Sequence, residues 1–221
     1  MKLFELIGVK PIQTLAKYDD KYADSIIQSN LISYLSSLGF KSIGDGLYAS
    51  VLEHPKFDYV IKLFKSDKCY IEFVKYIISN QSNPHVPKIK GKLVKLAKDT
   101  NIFGIRMEKL KAVDLLDLDH ELLSYLYKNN MLSYHERTFV QDTIPEGEID
   151  QLVDQFRENQ NDFFNLLEQL LSKPTNCRWD LHPGNFMKRG STLVLTDPWA
   201  NKDSSWNSNS ESLRKWIIDV K

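Results

Sequence analysis

The segment R-W-D-L-H-P-G-N-F-M-K-R-G-S-T-L-V-L-T-D-P-W-A, Arg178 to Ala200, holds Asp180, then Asn185, then Asp197 at the end of an apolar run. These polar residues stand just before and just after a strand–turn–strand pattern, with strands expected near Phe186–Lys188 and Thr192–Leu195. Gly184 frees a tight loop between Asp180 and Asn185. Loop capping is the ordinary use of such residues. The alternative is a site that grips metal ions through hard oxygens and aims a hydroxyl. The choice turns on whether the rest of the chain supplies the other half of that site.

Upstream, the hydrophobic period changes twice. Asp19 or Asp20 can cap a helix that runs through Ser37 and stops at Gly39. F-K-S-I-G-D-G and L-Y-A-S-V-L-E then read as two strands about a glycine turn. H-P-K-F-D is a second turn, and Y-V-I-K-L-F is a third strand. A helix is predicted over 67–79, ended by the loop Q-S-N-P-H-V-P, and two more strands over 89–96 and 102–108. The second half reads as mostly helical. A helix fits 117–129, the mixed stretch 131–147 stays unassigned, and a long amphipathic helix covers 148–171 up to Pro174. A last helix over 210–220 offers Leu213, Trp216 and Ile217 to the core.

The expected fold class is therefore α+β, with a five-stranded antiparallel sheet carrying one helix and a reduced, mostly helical second lobe. The expected units are an N-terminal helical extension (1–38), a sheet lobe (39–110) and a helical lobe (111–221), divided near Glu108–Val113.

Composition narrows the function classes. The 221 residues include 29 basic and 29 acidic side chains, so net charge argues for neither nucleic acid nor a membrane surface. The longest apolar runs are too short to span a bilayer, and Glu5 interrupts the N-terminal apolar stretch where a signal peptide would be uninterrupted. Cys69 and Cys177 lie in unlike contexts with no ligand spacing, so free thiols in a reducing cytosol are expected. The expected location is cytoplasmic.

Phosphoryl transfer from ATP asks a protein to hold phosphates, place metals, neutralise charge and aim a nucleophile. Each demand has a candidate. In G-D-G-L-Y-A-S-V, Gly44 and Gly46 let backbone N–H groups approach phosphate, with Val51 under the adenine; the ordinary alternative is a plain hairpin turn. Lys62 shares one face of its strand with Val60 and Phe64, and is either a phosphate ligand or an edge lysine reaching water. Glu72 on the next helix is either the partner that fixes Lys62 or a solvated helix charge. In I-R-M-E-K-L, Ile105 to Leu110, a connector can offer the C=O of Glu108 and the N–H of Leu110 to an adenine edge, with Met107 behind the ring. Asp180 can orient the acceptor hydroxyl, while Asn185 and Asp197 hold Mg²⁺. His182 either faces the transferred phosphate or hydrogen-bonds its loop.

This order of motifs resembles the protein-kinase-like superfamily over roughly Lys41 to Ala200. G-D-G-L-Y-A-S-V looks like the glycine-rich loop, with Ala49 in the third glycine's place. V-I-K looks like the strand of the ATP-binding lysine, M-E-K-L like gatekeeper and hinge, and D-L-H-P-G-N like the catalytic loop, in wording close to aminoglycoside-phosphotransferase-like kinases. T-D-P-W stands where Asp-Phe-Gly would be. Trp179 replaces the arginine that often precedes the catalytic Asp, His182 a lysine, and Pro198 the Phe of Asp-Phe-Gly. D-L-H-x-G-N-x-M with L-V-L-T-D-P, in a chain short after Asp197, looks most like the early serine/threonine protein kinases of short-tailed bacteriophages. The resemblance implies ATP and Mg²⁺ as cofactors, host proteins as substrates, and self-phosphorylation, for which Ser204, Ser205, Ser208, Ser210 and Ser212 are candidates.

Overall fold

The structure is a computed structural model and describes residues 20–201 except 47, 66, 97–100, 133, 160, 161, 174 and 175. The predicted terminal helix over 210–220, the tail serines and Trp206 and Trp216 lie outside the described residues. Helix α1 (Asp20–Ser37) stops at Gly39, which takes a left-handed φ of 93°. The Gly39 and Phe40 N–H groups donate back to Ser36 and Leu35 carbonyls at 3.0 Å. A Cβ on Gly39 would come within 2.9 Å of His54 Nε2, so only glycine fits there.

Strands β1 (Lys41–Asp45), β2 (Ala49–Glu53), β3 (Tyr59–Lys65), β4 (Val94–Lys95) and β5 (Ile102–Glu108) form an antiparallel sheet in the order β1-β2-β3-β5-β4. Alternation along β3 assigns its two faces. Ile61 and Leu63 join Leu52 and Ile102 against Leu31 and Leu35 of α1. Val60 and Phe64 face the other way, with Ile105 and Met107, toward helix α2 (Lys68–Ser79). Full burial of each such side chain stabilises by about 1.5–3 kcal/mol, which sets the register. Asp67 caps α2 by accepting the Tyr70 N–H at 2.9 Å.

The strand predicted over 89–96 is cut down to Val94–Lys95, with Ile89 left as a lone bridge to Met107. The register to β5 shifts by two positions between the Ile89–Met107 bridge and the Val94–Gly104 pair, which interrupts the ladder around Gly91, where the Arg106 side chain lies against the backbone.

The helical half departs from expectation in its breaks. A 3₁₀ turn at Leu115–Asp117 precedes α3 (His120–Lys128), so the helix starts later than position 117. The unassigned stretch forms α4 (Tyr134–Thr143) after Leu132 bridges to Leu181. The single helix predicted over 148–171 is two, α5 (Glu146–Glu158) and α6 (Asp162–Leu171). Asn159 caps α5 at the head of a polar run whose side chains compete with the helix backbone. Short strands complete the fold: β6 (Lys111–Ala112), β7 (Cys177–Trp179), β8 (Phe186–Arg189), β9 (Thr192–Leu195) and β10 (Trp199–Asn201). They pair as β6-β8-β9 and as β7-β10. One continuous core runs from Val60 and Phe64 through α2 to Leu126, Phe156 and Leu166 in the helical half.

Two of the ties that cross between the halves stand out. The first overturns the expected free thiols: Cys69 and Cys177 form a disulfide, with Cα atoms 5.8 Å apart and a separation of 108 positions in sequence. Packing of α2 against β10, the partner of β7, brings them together. The disulfide removes the support that free thiols would give to a cytosolic location; among the described residues, no helix is long and apolar enough to cross a membrane.

The second tie is Arg189 of β8. Its Nε donates to Glu108 Oε2 at 2.8 Å and its Nη2 to Glu108 Oε1, while Nη1 and Nη2 reach the Pro84 and Val86 carbonyls at 2.6 and 2.9 Å. The Lys88 N–H adds a bond to Glu108 Oε1 at 2.6 Å. Burial alone would raise the Glu108 carboxyl, but the bonds from Arg189 and Lys88 hold it below the ordinary glutamate value. Its stabilising effect is therefore present above the unfolded glutamate pKa and is lost as pH falls through the lower folded one. Arg189→Met strands a largely buried carboxylate and two carbonyls. We expect it to cost about 3 kcal/mol, read as a lower urea midpoint, and Arg189→Lys to recover little because an ammonium lacks the fork.

Candidate active site

A cleft with an empty volume of about 580 Å³, open to solvent, lies between the sheet and the β8–β9 hairpin. The sheet side contributes Val51, Val60, Lys62 and Met107, and the connector contributes Glu108 and Leu110. Gly184, Asn185, Met187 and Thr196 close the opposite side. Six residues singled out in the sequence, Val51, Lys62, Met107, Glu108, Leu110 and Asn185, thus share one lining.

The central contact joins the two motif groups. Lys62 Nζ donates to Asp197 Oδ2 at 2.7 Å, across 135 residues of sequence. Alternation on β3 sends Lys62 to the cleft face beside Val60, while the end of β9 delivers Asp197 from the other side. Burial opposes the charge on Lys62, but Asp197 outweighs it and holds the ammonium above the ordinary lysine value. Burial pushes Asp197 above the ordinary aspartate value, against the pull of Lys62 and with the negative charge of Asp180 adding to the rise.

Asp180 and Asn185 are set by the main chain. The Asp180 N–H donates to the Pro198 carbonyl at 2.9 Å, and its C=O accepts from Asn185 Nδ2. The Asn185 N–H reaches His182 O at 2.9 Å, and its C=O takes the Thr196 N–H and Oγ1 at 2.9 and 3.1 Å. With its nitrogen committed to Asp180, buried Asn185 has its amide oxygen to offer the cleft. The exposed His182 ring accepts the Gly184 N–H on Nδ1 at 3.2 Å, a bond within its own loop.

The glycine turn stands at the end of the sheet. Gly44 pairs with Val51 after a register shift, and the Gly46 N–H closes the hairpin onto Ala49 O at 2.7 Å. Both glycines are exposed and stand outside the cleft lining, which includes Ile43, the chain neighbour of Gly44.

Glu72 is not the partner of Lys62. It is exposed and pairs with Lys75 at 2.6 Å. On α2 the inward stripe runs through Tyr70, Phe73 and Val74, which leaves Glu72 on the outer side. Glu72→Gln is accordingly expected to leave the thermal midpoint unchanged in a scanning-fluorimetry melt, since exposed ion pairs contribute little. The sequence reading missed Tyr70, Ile43, Met187 and Thr196, all of which line the cleft. Only Tyr70 carried a usable signal: it stands three residues after the capping Asp67 and is the polar-tipped member of an apolar stripe.

No family model and no curated protein matches the chain. Solved structures with similar backbones include Rad53 1–466 in complex with AMP-PNP, at 14% identity, 81% of this chain, 42% of that chain and a TM-score of 0.37. Spectinomycin phosphotransferase APH(9)-Ia, in complex with ADP and spectinomycin, gives 14%, 73%, 65% and 0.36 in the same order. The Mycobacterium tuberculosis PknI kinase domain gives 12%, 72%, 58% and 0.31. The chain spans less than half the length of the Rad53 structure. Likeness at this level says nothing of activity. The chain's own elements define an α+β arrangement: a five-stranded antiparallel sheet with one inward helix, a connector, and a helical half whose hairpin returns an Asp to the sheet's lysine.

Proposed function

We propose that this protein is an ATP- and Mg²⁺-dependent phosphotransferase whose acceptors are serine or threonine hydroxyls of proteins. The observation that carries the reading is the 2.7 Å contact between Lys62 and Asp197, inside a cleft that Asn185 also lines. Val51, Met107, Leu110 and Met187 supply an apolar slot of the kind a purine ring fills. Lys62 would neutralise phosphate charge, and Asp180 would orient the acceptor hydroxyl and take its proton late. Asn185 and Asp197 would hold Mg²⁺, whose chemistry there is to offset charge on the transferring phosphate. Two hard-oxygen ligands suit an ion that completes its shell with water and substrate phosphate. Host proteins as acceptors, and self-phosphorylation of the tail serines, extend this reading from the bacteriophage-kinase resemblance.

A small-molecule phosphotransferase is the second reading. It is favoured by the D-L-H-P-G-N wording and by the excess of acidic over basic side chains between positions 113 and 171, which suits a cationic acceptor. Labelled ATP offered with casein and with a panel of aminoglycosides separates the two. Phosphoserine or phosphothreonine on protein supports the first reading. Transfer to an aminoglycoside alone replaces it with the second, and turnover no higher than that of Asp180→Ala rejects both.

A further inference from the structure

Lys62 has a second neighbour that the sequence did not suggest. Its Nζ lies 3.6 Å from the centroid of the Tyr70 ring. That ring is fully buried and fixed from several sides. The Tyr70 N–H is held by the Asp67 cap at 2.9 Å, and Phe64 packs edge-on against the ring with centroids 4.7 Å apart at 80°. The phenol donates to Met107 Sδ at 3.3 Å on the back wall of the cleft. Burial pushes the phenol up to about 12, so it stays a neutral O–H at working pH.

An ammonium over an aromatic face is attracted by the ring quadrupole, more so when water is excluded. The arrangement differs from a carboxylate partner in one respect that matters at a phosphate site. A glutamate beside Lys62 would place a second full negative charge next to Asp197 and the incoming triphosphate. A neutral ring holds the ammonium without that repulsion and leaves more of its charge for an anion.

We propose that Tyr70 is the positioning residue for Lys62, its ring seating the ammonium between Asp197 and the phosphate position in the role expected of Glu72. The proposal rests on reading the cleft as a nucleotide site. Through Met107, the same side chain ties the lysine's seat to the wall of the adenine slot. Tyr70 touches no substrate in this scheme and acts only through Lys62.

The test changes the ring's electrostatics while keeping its shape. Fluorescent ADP is titrated into wild type, Tyr70→Phe, and protein with pentafluorophenylalanine at position 70. Phenylalanine keeps the negative ring face while losing the hydroxyl's contacts, and its ADP affinity is the reference for the fluorinated ring. The fluorinated ring reverses the quadrupole at nearly constant volume and is expected to weaken ADP binding roughly tenfold relative to phenylalanine. A purely structural role predicts equal affinity for the two rings, and that result overturns the proposal. So does a tenfold loss with Tyr70→Phe that the fluorinated ring does not deepen. Turnover is measured separately against Asp180→Ala. Wild type that binds ADP yet transfers no phosphate ends the catalytic reading and leaves the ring effect standing. Wild type that binds no ADP ends both.

Discussion

Asp180→Ala is expected to lower phosphoryl transfer by roughly a hundred- to ten-thousandfold, the range for removing a positioned acid–base group. ADP affinity and the unfolding midpoint should stay near wild type. Both halves of that expectation follow from how the residue is held. Its backbone N–H and C=O are committed to Pro198 and Asn185, and these bonds survive a change of side chain. The cleft lining includes Asn185 and Lys62 but not Asp180, so nucleotide contacts should persist. Lys62→Met makes a poorer first experiment. It leaves the partly buried Asp197 without its cation, and breaking a buried pair costs about 3–5 kcal/mol. Loss of activity there would mix chemistry with unfolding. Equal turnover by wild type and Asp180→Ala, with both proteins folded by circular dichroism, would remove Asp180 from the mechanism.

The second large effect concerns stability. Opening the Cys69–Cys177 bond, by reductant or by replacing both cysteines with alanine, releases a loop of 108 residues in the unfolded chain. Chain entropy puts the loss at about 4–5 kcal/mol, and disulfides of native domains typically contribute about 2–4 kcal/mol. For a protein of this size, each kcal/mol moves the thermal midpoint by about 2–4 °C, so a fall near 10 °C is expected. Differential scanning fluorimetry with and without reductant measures it. An unchanged midpoint, with both thiols shown by alkylation to be free in the reduced sample, would mean the bond adds nothing to the fold.

Part of the cleft was readable, where single residues obey a local rule. Period-two alternation put Lys62 beside Val60 on one face of β3, and the strand-to-connector pattern put Met107 at the end of β5. Asp180, Asn185 and Asp197 were readable because turn chemistry brackets a short hairpin. The failures are of another kind. Glu72 and Tyr70 sit on the same short helix, and which of them faces Lys62 depends on how α2 rotates against the sheet. Apolar residues keep nearly one period through Phe156 and Phe163, so the stripe conceals the break at Asn159. The Arg189–Glu108 clasp and the disulfide link residues 81 and 108 positions apart. Such contacts exist only after the halves have packed, and no short window of sequence contains them.

The disulfide also changes what a protease cut means for this molecule. A single scission at any exposed bond between positions 70 and 176 would leave one covalent species, because Cys69 and Cys177 still fasten the fragments together. On a gel run without reductant the nicked protein would migrate as a single band, and thiol would split it into two pieces whose masses report the cleavage point. Conventional reducing electrophoresis would therefore score a connected molecule as destroyed.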